Sequence, residues 1–333
     1  MHKKEFKSID QQIDLLQERG LTINDVERAK KYLLSNNYYN IINGYSKPFL
    51  ESENLYIKNA SFDEVSRLYF FDKELKQVLF NSILDAEHHL KSILAHRFAE
   101  AHPNNPKAYL DINSYNHKKS LSVAHVISSL NNILRKNRQY RNNSINHYLT
   151  NYNAVPIWVI IDYLTFGDLY SLLNCIPDNL QNRVANDCAE FIVSNNPNFT
   201  GQFPPKTMLS FIKNIQEIRN VCAHNNRLIY FECRSDTSYF PAIHSHYGIT
   251  PEDNRRSVYS TFINLQCFVS KVEYAKLHNS IRKKVNTLNN QLKSIDINSI
   301  LLLLGFPKNW NGCDKKEQQS NNKKRGITIG THL

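Results

Sequence analysis

Residues 62–101 read FDEVSRLYFFDKELKQVLFNSILDAEHHLKSILAHRFAEA, and this stretch decides the fold class. No glycine or proline interrupts it, and its apolar residues recur at spacings of three and four. Pro103 and Pro106 close it, so it reads as one long helix from about Phe62 to Ala101. The rest of the chain is written in the same way. Only 9 glycines and 11 prolines punctuate 333 residues, and the helical period dominates between them. An all-α protein is the expectation.

Upstream, Ser8 to Leu50 holds two short helical patterns: Ile9, Ile13 and Leu16 before Gly20, then Val26, Ala29, Tyr32 and Leu33 after Asn24. They lead into Asn37-Tyr38-Tyr39-Asn40-Ile41-Ile42-Asn43-Gly44-Tyr45, whose glycine suits a turn. Downstream of the long helix, a polar middle carries its densest basic run at Arg135-Lys136-Asn137-Arg138-Gln139-Tyr140-Arg141. Pro156-Ile157-Trp158 then opens another helix, in which Gly167 marks a break or a close helix contact. Phe203-Pro204-Pro205 introduces a helix from about Lys206 to Leu228. Pro241 to Pro251 reads as a loop, and Asn254 to Leu277 as helix again. From Gly312 the chain is polar and rich in Lys and Arg with little to bury, and is expected to be disordered. There is no internal repeat of fixed period. The resulting partition is 1–55, an N-terminal helical subdomain; 56–277, the core; 278–311, a C-terminal helical extension; and 312–333, a disordered basic tail.

A chain of this length with 41% hydrophobic residues can bury a sizeable core. No run approaches the roughly 20 apolar residues that span a bilayer. Met1-His2-Lys3-Lys4-Glu5-Phe6-Lys7-Ser8 runs on into acidic and polar residues instead of an apolar signal segment, so a soluble, cytoplasmic protein without a membrane partner is expected. The six cysteines, Cys175, Cys188, Cys222, Cys233, Cys267 and Cys313, form no C-x-x-C pair and read as reduced thiols. A net charge of +11 favours a polyanionic partner. Charge alone does not separate RNA from DNA or from an acidic membrane surface.

The most telling short stretch is Arg219-Asn220-Val221-Cys222-Ala223-His224-Asn225-Asn226-Arg227-Leu228. On a helical wheel started at Asn220, His224 falls at about 40° and Arg227 at about −20°, so the three form one stripe. Phe211, Ile215, Ile218 and Cys222 cluster opposite, which gives a docking face and an outward polar face. Arg219 falls about 100° from Asn220, so only its flexible stem or a distortion of the last turn brings its guanidinium to the stripe, and the helix is expected to bend or end near His224. The chemistry suits cleavage of a phosphodiester by the ribose 2′-hydroxyl. An imidazole exchanges protons near neutrality, a guanidinium makes paired hydrogen bonds to phosphoryl oxygens as charge builds, and Asn220 can orient either. No carboxylate cluster accompanies the motif, which argues against a two-metal nuclease, and no cofactor is called for. In-line transfer wants both an acid and a base, and two copies of this helix across a dimer axis supply both.

Spacing alone is weak evidence, because Arg and His with four to six residues between them should recur on the order of twice by chance in this composition. Arg97 to His102, Arg141 to His147 and Arg325 to His332 satisfy it too. The full wording Arg-Asn-x-Cys-Ala-His-x-x-Arg-Leu resembles the signature of the Abi-like family of bacterial abortive-infection proteins, the AbiD and AbiF group of the HEPN superfamily. The segment Pro156-Ile157-Trp158 through Thr165-Phe166-Gly167 resembles that family's Pro-x-Trp…Thr-Phe-Gly segment. Phe71-Asp72-Lys73-Glu74-Leu75 with Glu87 resembles its first long core helix. Ile9 to Leu16, Gly20-Leu21 and Tyr38-Tyr39…Gly44-Tyr45…Pro48-Phe49 are similar to its N-terminal region. The likeness covers roughly residues 5 to 270.

The resemblance implies a HEPN-type helical bundle core, metal-independent RNA cleavage, a homodimer that pairs two motifs, and a toxin-like role in phage defence. It further implies restraint by a small non-coding RNA. Carried over by residue, it gives Arg219 and His224 catalytic positions and Asn220 a supporting one. The chain departs from the family's pattern at Asn225, where many members have a second histidine, and at Ile229-Tyr230.

Blander readings stand beside these. Lys213, Gln216, Glu217, Asn220, His224 and Arg227 also describe the solvated face of an amphipathic helix. Glu87-His88-His89 and His96 look like metal ligands but lack an H-E-x-x-H pattern or a cysteine partner, so packing and surface roles are expected. The basic run reads first as a solvated loop, yet Tyr140 could stack on a base, so Arg135, Lys136, Arg138, Tyr140 and Arg141 join Arg227 as candidate RNA contacts. The alternative to a ribonuclease is a non-catalytic RNA-binding protein of the same fold that binds or is regulated by a structured RNA.

Overall fold

The computed structural model describes residues 5–312. The expected disordered tail beyond Gly312 lies outside the described residues, as do Cys313, Lys323-Lys324-Arg325 and the Arg325–His332 pair. Among the described residues the chain is all-α. Its helices are α1 (Ile9–Glu18), α2 (Val26–Asn36), α3 (Phe62–Ala101), α4 (Ser120–Asn137), α5 (Ser144–Tyr152), α6 (Ile157–Ile160), α7 (Phe166–Cys175), α8 (Asp178–Asn195), α9 (Pro205–Ala223), α10 (Pro241–His244), α11 (Val258–Asn264), α12 (Lys271–Asn289) and α13 (Ile297–Leu303). A short antiparallel hairpin pairs Leu50–Ser52 with Leu55–Tyr56. None of the described helices is long and apolar enough to cross a membrane.

The chain packs as two compact units, and neither is a single stretch of sequence. The first takes residues up to Val78, then Asn225–Phe231, then the chain from His278 onward; the second takes Leu79–His224 and Glu232–Leu277. The boundary between them passes through the decapeptide. These units and the sequential partition given above divide the chain differently, and α12 runs unbroken across residues 277 and 278.

In the first unit, α1 starts on a capping box in which the Ser8 hydroxyl accepts the Gln11 N–H and the Gln11 side chain accepts the Ser8 N–H. It stops at Gly20, whose φ of 87° is left-handed and suits only glycine well. Asp25 caps α2 through the Arg28 N–H. The N-terminal part of α3 is then tied to the C-terminal segment by polar contacts. Glu64 accepts the N–H groups of Lys293 and Ser294 at 2.7 and 2.8 Å, and Arg67 donates to the Gln291 carbonyl at 3.1 Å. Burial alone would raise the Glu64 carboxyl, but these N–H groups and the Ser61 and Ser294 hydroxyls together hold it below its ordinary value.

In the second unit, α4 packs on α7, α7 on α9, and α9 also on α8 and α11. Pro at the first turn of α9 loses nothing, since that N–H has no helical acceptor. Phe203 lies among Phe211, Phe240 and Phe268 with ring centroids 5.5 to 6.1 Å apart, and Phe203, Phe211 and Phe268 are fully buried. Thr165 and Asp168 make a second capping box at the start of α7. Gly167 follows inside the first turn, and a Cβ there would stand 3.0 Å from Gln216 Nε2 of α9. Both roles expected around Gly167 are observed: the helix opened by Pro156 breaks between Tyr163 and Phe166, and the glycine admits the close helix contact.

Four expectations are corrected. The aromatic stretch forms a π-helical turn, Tyr39–Asn43, and Gly44 keeps an ordinary helical φ of −76° in place of a special turn. Pro241 to Pro251 is not all loop, because Pro241 can lead a helix: α10 and a 3-10 turn, Ser245–Tyr247, fill its first half. The helix expected over Asn254 to Leu277 is broken after Cys267. There Ser270 starts α12 afresh, its hydroxyl taking the Glu273 N–H and its own N–H going to the Glu273 carboxylate at 2.7 Å. The Arg135–Arg141 run begins inside helix: Arg135 and Lys136 form the last turn of α4, where cations suit the negative end of the helix dipole.

Candidate active site

Helix α9 is held from below by Met208, Phe211, Ile212, Ile215 and Ile218, all fully buried. A fully buried apolar side chain of this size contributes about 1.5–3 kcal/mol, so this face fixes the helix firmly. A second, polar seam runs along it. Ser210 Oγ accepts the Ser238 N–H, Asn214 Nδ2 donates to the Ser235 carbonyl, and Glu217 Oε2 accepts the Arg234 N–H, each at 3.0 Å. Spaced at four and three residues, these side chains share one face and bind the segment Arg234–Ser238 as it returns. Glu217 therefore belongs to this seam and not to a free solvated face.

The helix ends at Ala223. His224 is its cap, with its N–H on the Asn220 carbonyl at 3.0 Å, and Asn225 turns left-handed at φ 54°. Asn is one of the residues enriched in that conformation, so Asn225 meets the demand of the backbone there. Asn220 and His224 are exposed. Arg219 is half-buried, its guanidinium carbon 5.7 Å from the centre of the Phe80 ring, and its Nε is buried without a hydrogen bond. Arg219, Asn220 and His224 thus share one helix end, but among the described residues no hydrogen bond joins their side chains.

Arg227 does not continue this stripe. The wheel assumed a helix through residue 227, and the left-handed turn at Asn225 ends it before then. In the first unit, Arg227 Nη1 donates to the Gly44 carbonyl and the guanidinium carbon lies 5.5 Å from the Tyr230 ring centre.

The same unit contains a buried network that sequence reasoning missed. Asp72, with no exposure, accepts the N–H groups of Leu228 and Ile229 at 3.0 and 3.1 Å, the Tyr45 hydroxyl at 2.8 Å, and the Lys76 ammonium at 3.2 Å. Lys76 in turn donates to Asn225 Oδ1 at 2.7 Å. Burial, then the Asp72 charge and hydrogen bond, push the Tyr45 phenol well above its ordinary value, so it stays a donor. The signal was present: an Asp and a Lys four apart on an otherwise apolar helix face are a pair that must be satisfied if buried.

The basic run lies in the second unit. Arg135, Lys136, Arg138, Tyr140 and Arg141 are all exposed, Tyr140 at 65%, and among the described residues none of the four cations has a carboxylate within ion-pair distance. The decoy Arg97 is occupied instead, with Nε and Nη2 on the two Asp187 oxygens at 2.6 Å. His89 stacks on Phe191 and reaches the Phe268 carbonyl at 2.9 Å, while Glu87 pairs with Lys91 at 2.9 Å. Among the described residues no group of three or more His, Cys, Asp or Glu is placed to hold a metal ion.

No protein of curated function and no solved structure gives a significant match. A family model described as Abi-like protein matches residues 31–230, a narrower span than the 5 to 270 of the sequence resemblance. It takes in α3 to α9, the Pro156–Gly167 segment and the whole decapeptide, and ends at Tyr230. With more than half of its residues inside that match, the chain belongs to the Abi-like family.

Proposed function

We propose that the chain is a metal-independent endoribonuclease of HEPN type, acting as an abortive-infection toxin in phage defence. The observation that carries this reading is the end of α9, where Arg219 and Asn220 in the final turns and His224 at the cap stand on a helix fixed by a fully buried face. Preorganisation of this kind is what transition-state stabilisation requires.

In this reading the ribose 2′-hydroxyl attacks the adjacent phosphorus in line. One imidazole takes its proton, a second imidazole protonates the departing 5′-oxygen, and guanidinium groups offset the charge gathering on the phosphoryl oxygens. The products are a 2′,3′-cyclic phosphate and a 5′-hydroxyl. The motif supplies one histidine, and a second copy of the chain supplies the other, so the active form is a homodimer. The net charge of +11 and the unpaired cations at the end of α4 support an RNA partner, both as substrate and as a small non-coding RNA that restrains the toxin.

The test is cleavage of RNA by the full chain in EDTA, with end-group analysis. Wild type should yield 2′,3′-cyclic phosphate ends, and His224→Ala and Arg219→Ala should abolish cutting. Full activity in either variant sinks the proposal. RNA binding that survives His224→Ala, with no product from wild type, replaces it with a non-catalytic RNA-binding role.

A further inference from the structure

Two cations of the first unit share one aromatic ring. The Lys47 ammonium lies 4.8 Å from the Tyr230 ring centre and the Arg227 guanidinium carbon 5.5 Å from the same point. Among the described residues neither has a carboxylate within ion-pair distance. Ring contacts attract each cation but do not neutralise it, so the spot carries two positive charges without a counter-charge.

The groups are held in place. Arg227 spends one N–H on the Gly44 carbonyl, which fixes the guanidinium plane and leaves its other donors for a second acceptor. Lys47 opens the short 3-10 turn Lys47–Phe49, in which Pro48 restricts the backbone, and its side chain is exposed. Tyr230 adopts φ 68°, unusual for a bulky residue, and its N–H is tied to the Leu303 carbonyl at 3.3 Å. Left-handed strain in a large side chain is kept where the position of that side chain matters.

We infer that Lys47, Arg227 and the Tyr230 ring form a cradle for one backbone phosphodiester of the RNA strand, which makes Lys47 and Tyr230 substrate-binding residues. The inference rests on the ribonuclease reading for its ligand. A guanidinium presents paired donors to two non-bridging oxygens and an ammonium adds a compact point charge, which together suit a singly charged phosphodiester. The Gly44–Phe49 segment then has a task beyond packing.

The experiment measures binding of the full-length protein to a fluorescent single-stranded RNA carrying 2′-O-methyl groups, which cannot be cut, across a range of salt. Each phosphate contact to a single strand contributes about 0.7 to the slope of log K against log salt. Lys47→Ala should weaken low-salt binding several-fold and lower the slope by about 0.7. Lys58→Ala, at an exposed lysine of the same unit, should change neither. Tyr230→Asn keeps a residue that tolerates the left-handed backbone, so the fold survives while the slope falls. Wild-type slopes in both Lys47→Ala and Tyr230→Asn overturn the cradle, as does a wild type that binds no RNA. Cleavage measured in parallel separates the two proposals. A wild type that cuts, with slopes unchanged in both Lys47→Ala and Tyr230→Asn, removes the cradle alone; one that binds through Lys47 but never cuts removes the ribonuclease alone.

Discussion

Asp72 Oδ1 accepts the backbone N–H of Leu228 at 3.0 Å, joining residues 156 positions apart in the chain. The same oxygen takes the N–H of Ile229, and the other takes Tyr45 and Lys76. A carboxylate without any exposure is thereby fully satisfied and charge-matched, and the chain leaving His224 is fixed by it.

Removing Asp72 should therefore be severe. Asp72→Ala strands the buried Lys76 ammonium and two backbone N–H groups, and should cost about 3–5 kcal/mol in urea denaturation. Adding Lys76→Met to it should recover part of the loss, since the stranded charge is gone. A cost below about 1 kcal/mol for Asp72→Ala would contradict the network.

Asn225 contributes a left-handed backbone and an acceptor for Lys76, and two substitutions separate them. Asn225→Gly keeps the backbone, with its carbonyl 3.4 Å from the Lys76 ammonium, and loses the side-chain acceptor. Asn225→Ala loses both, and should be less stable than the glycine variant by about 1–2 kcal/mol. Equal stabilities would mean that the backbone conformation is not strained.

His244 predicts a pH dependence. It is fully buried, its Nδ1 accepts the Phe240 N–H at 2.9 Å, and its Nε2 lies 3.1 Å from Asn264 Oδ1. Burial, with the Arg255 charge, lowers its pKa to about 4, while the Asn264 hydrogen bond opposes. The folded value lies below the unfolded value of about 6.5, so the unfolded chain binds the extra proton first. Stability from this group is full above pH 6.5 and declines as pH falls to about 4, by about 3 kcal/mol in all. Denaturation midpoints across that window should show the decline in wild type and a flatter profile in His244→Gln.

Arg97→Ala tests the selectivity of the proposed site. Its guanidinium is committed to Asp187 and Glu100, so RNA cleavage should match wild type while the melting temperature falls slightly. Loss of cleavage in a folded Arg97→Ala protein would reassign the site.

The sequence was most readable where local rules act alone. The ends of α3 follow from the absence of breakers between Phe62 and Ala101, and the stop of α1 from Gly20. The end of α9 near His224 was also expected, from the mismatch between Arg219 and the polar stripe. What failed needed information from far along the chain. Arg227 could not be placed because its partner, Gly44, is 183 residues away, and Asp72 looked like one more helix-surface charge until the N–H groups of Leu228 and Ile229 arrived. The fresh start of α12 was legible in Ser270-Lys271-Val272-Glu273, a capping-box spelling hidden by the apolar residues on either side. The hairpin at residues 50–56 has strands too short for a period of two to show.

The discontinuity of the first unit sets the order in which the molecule can be finished during synthesis. Glu64 and Arg67, near the start of α3, find their partners only at Gln291, Lys293 and Ser294, and Tyr230 is tied to Leu303. At roughly 5–20 residues per second, the ribosome needs several seconds after His224 to deliver those partners. Through that interval the nascent chain carries every side chain of its proposed catalytic motif but not the segment that completes the unit around Asn225–Phe231. The part begun first is closed last.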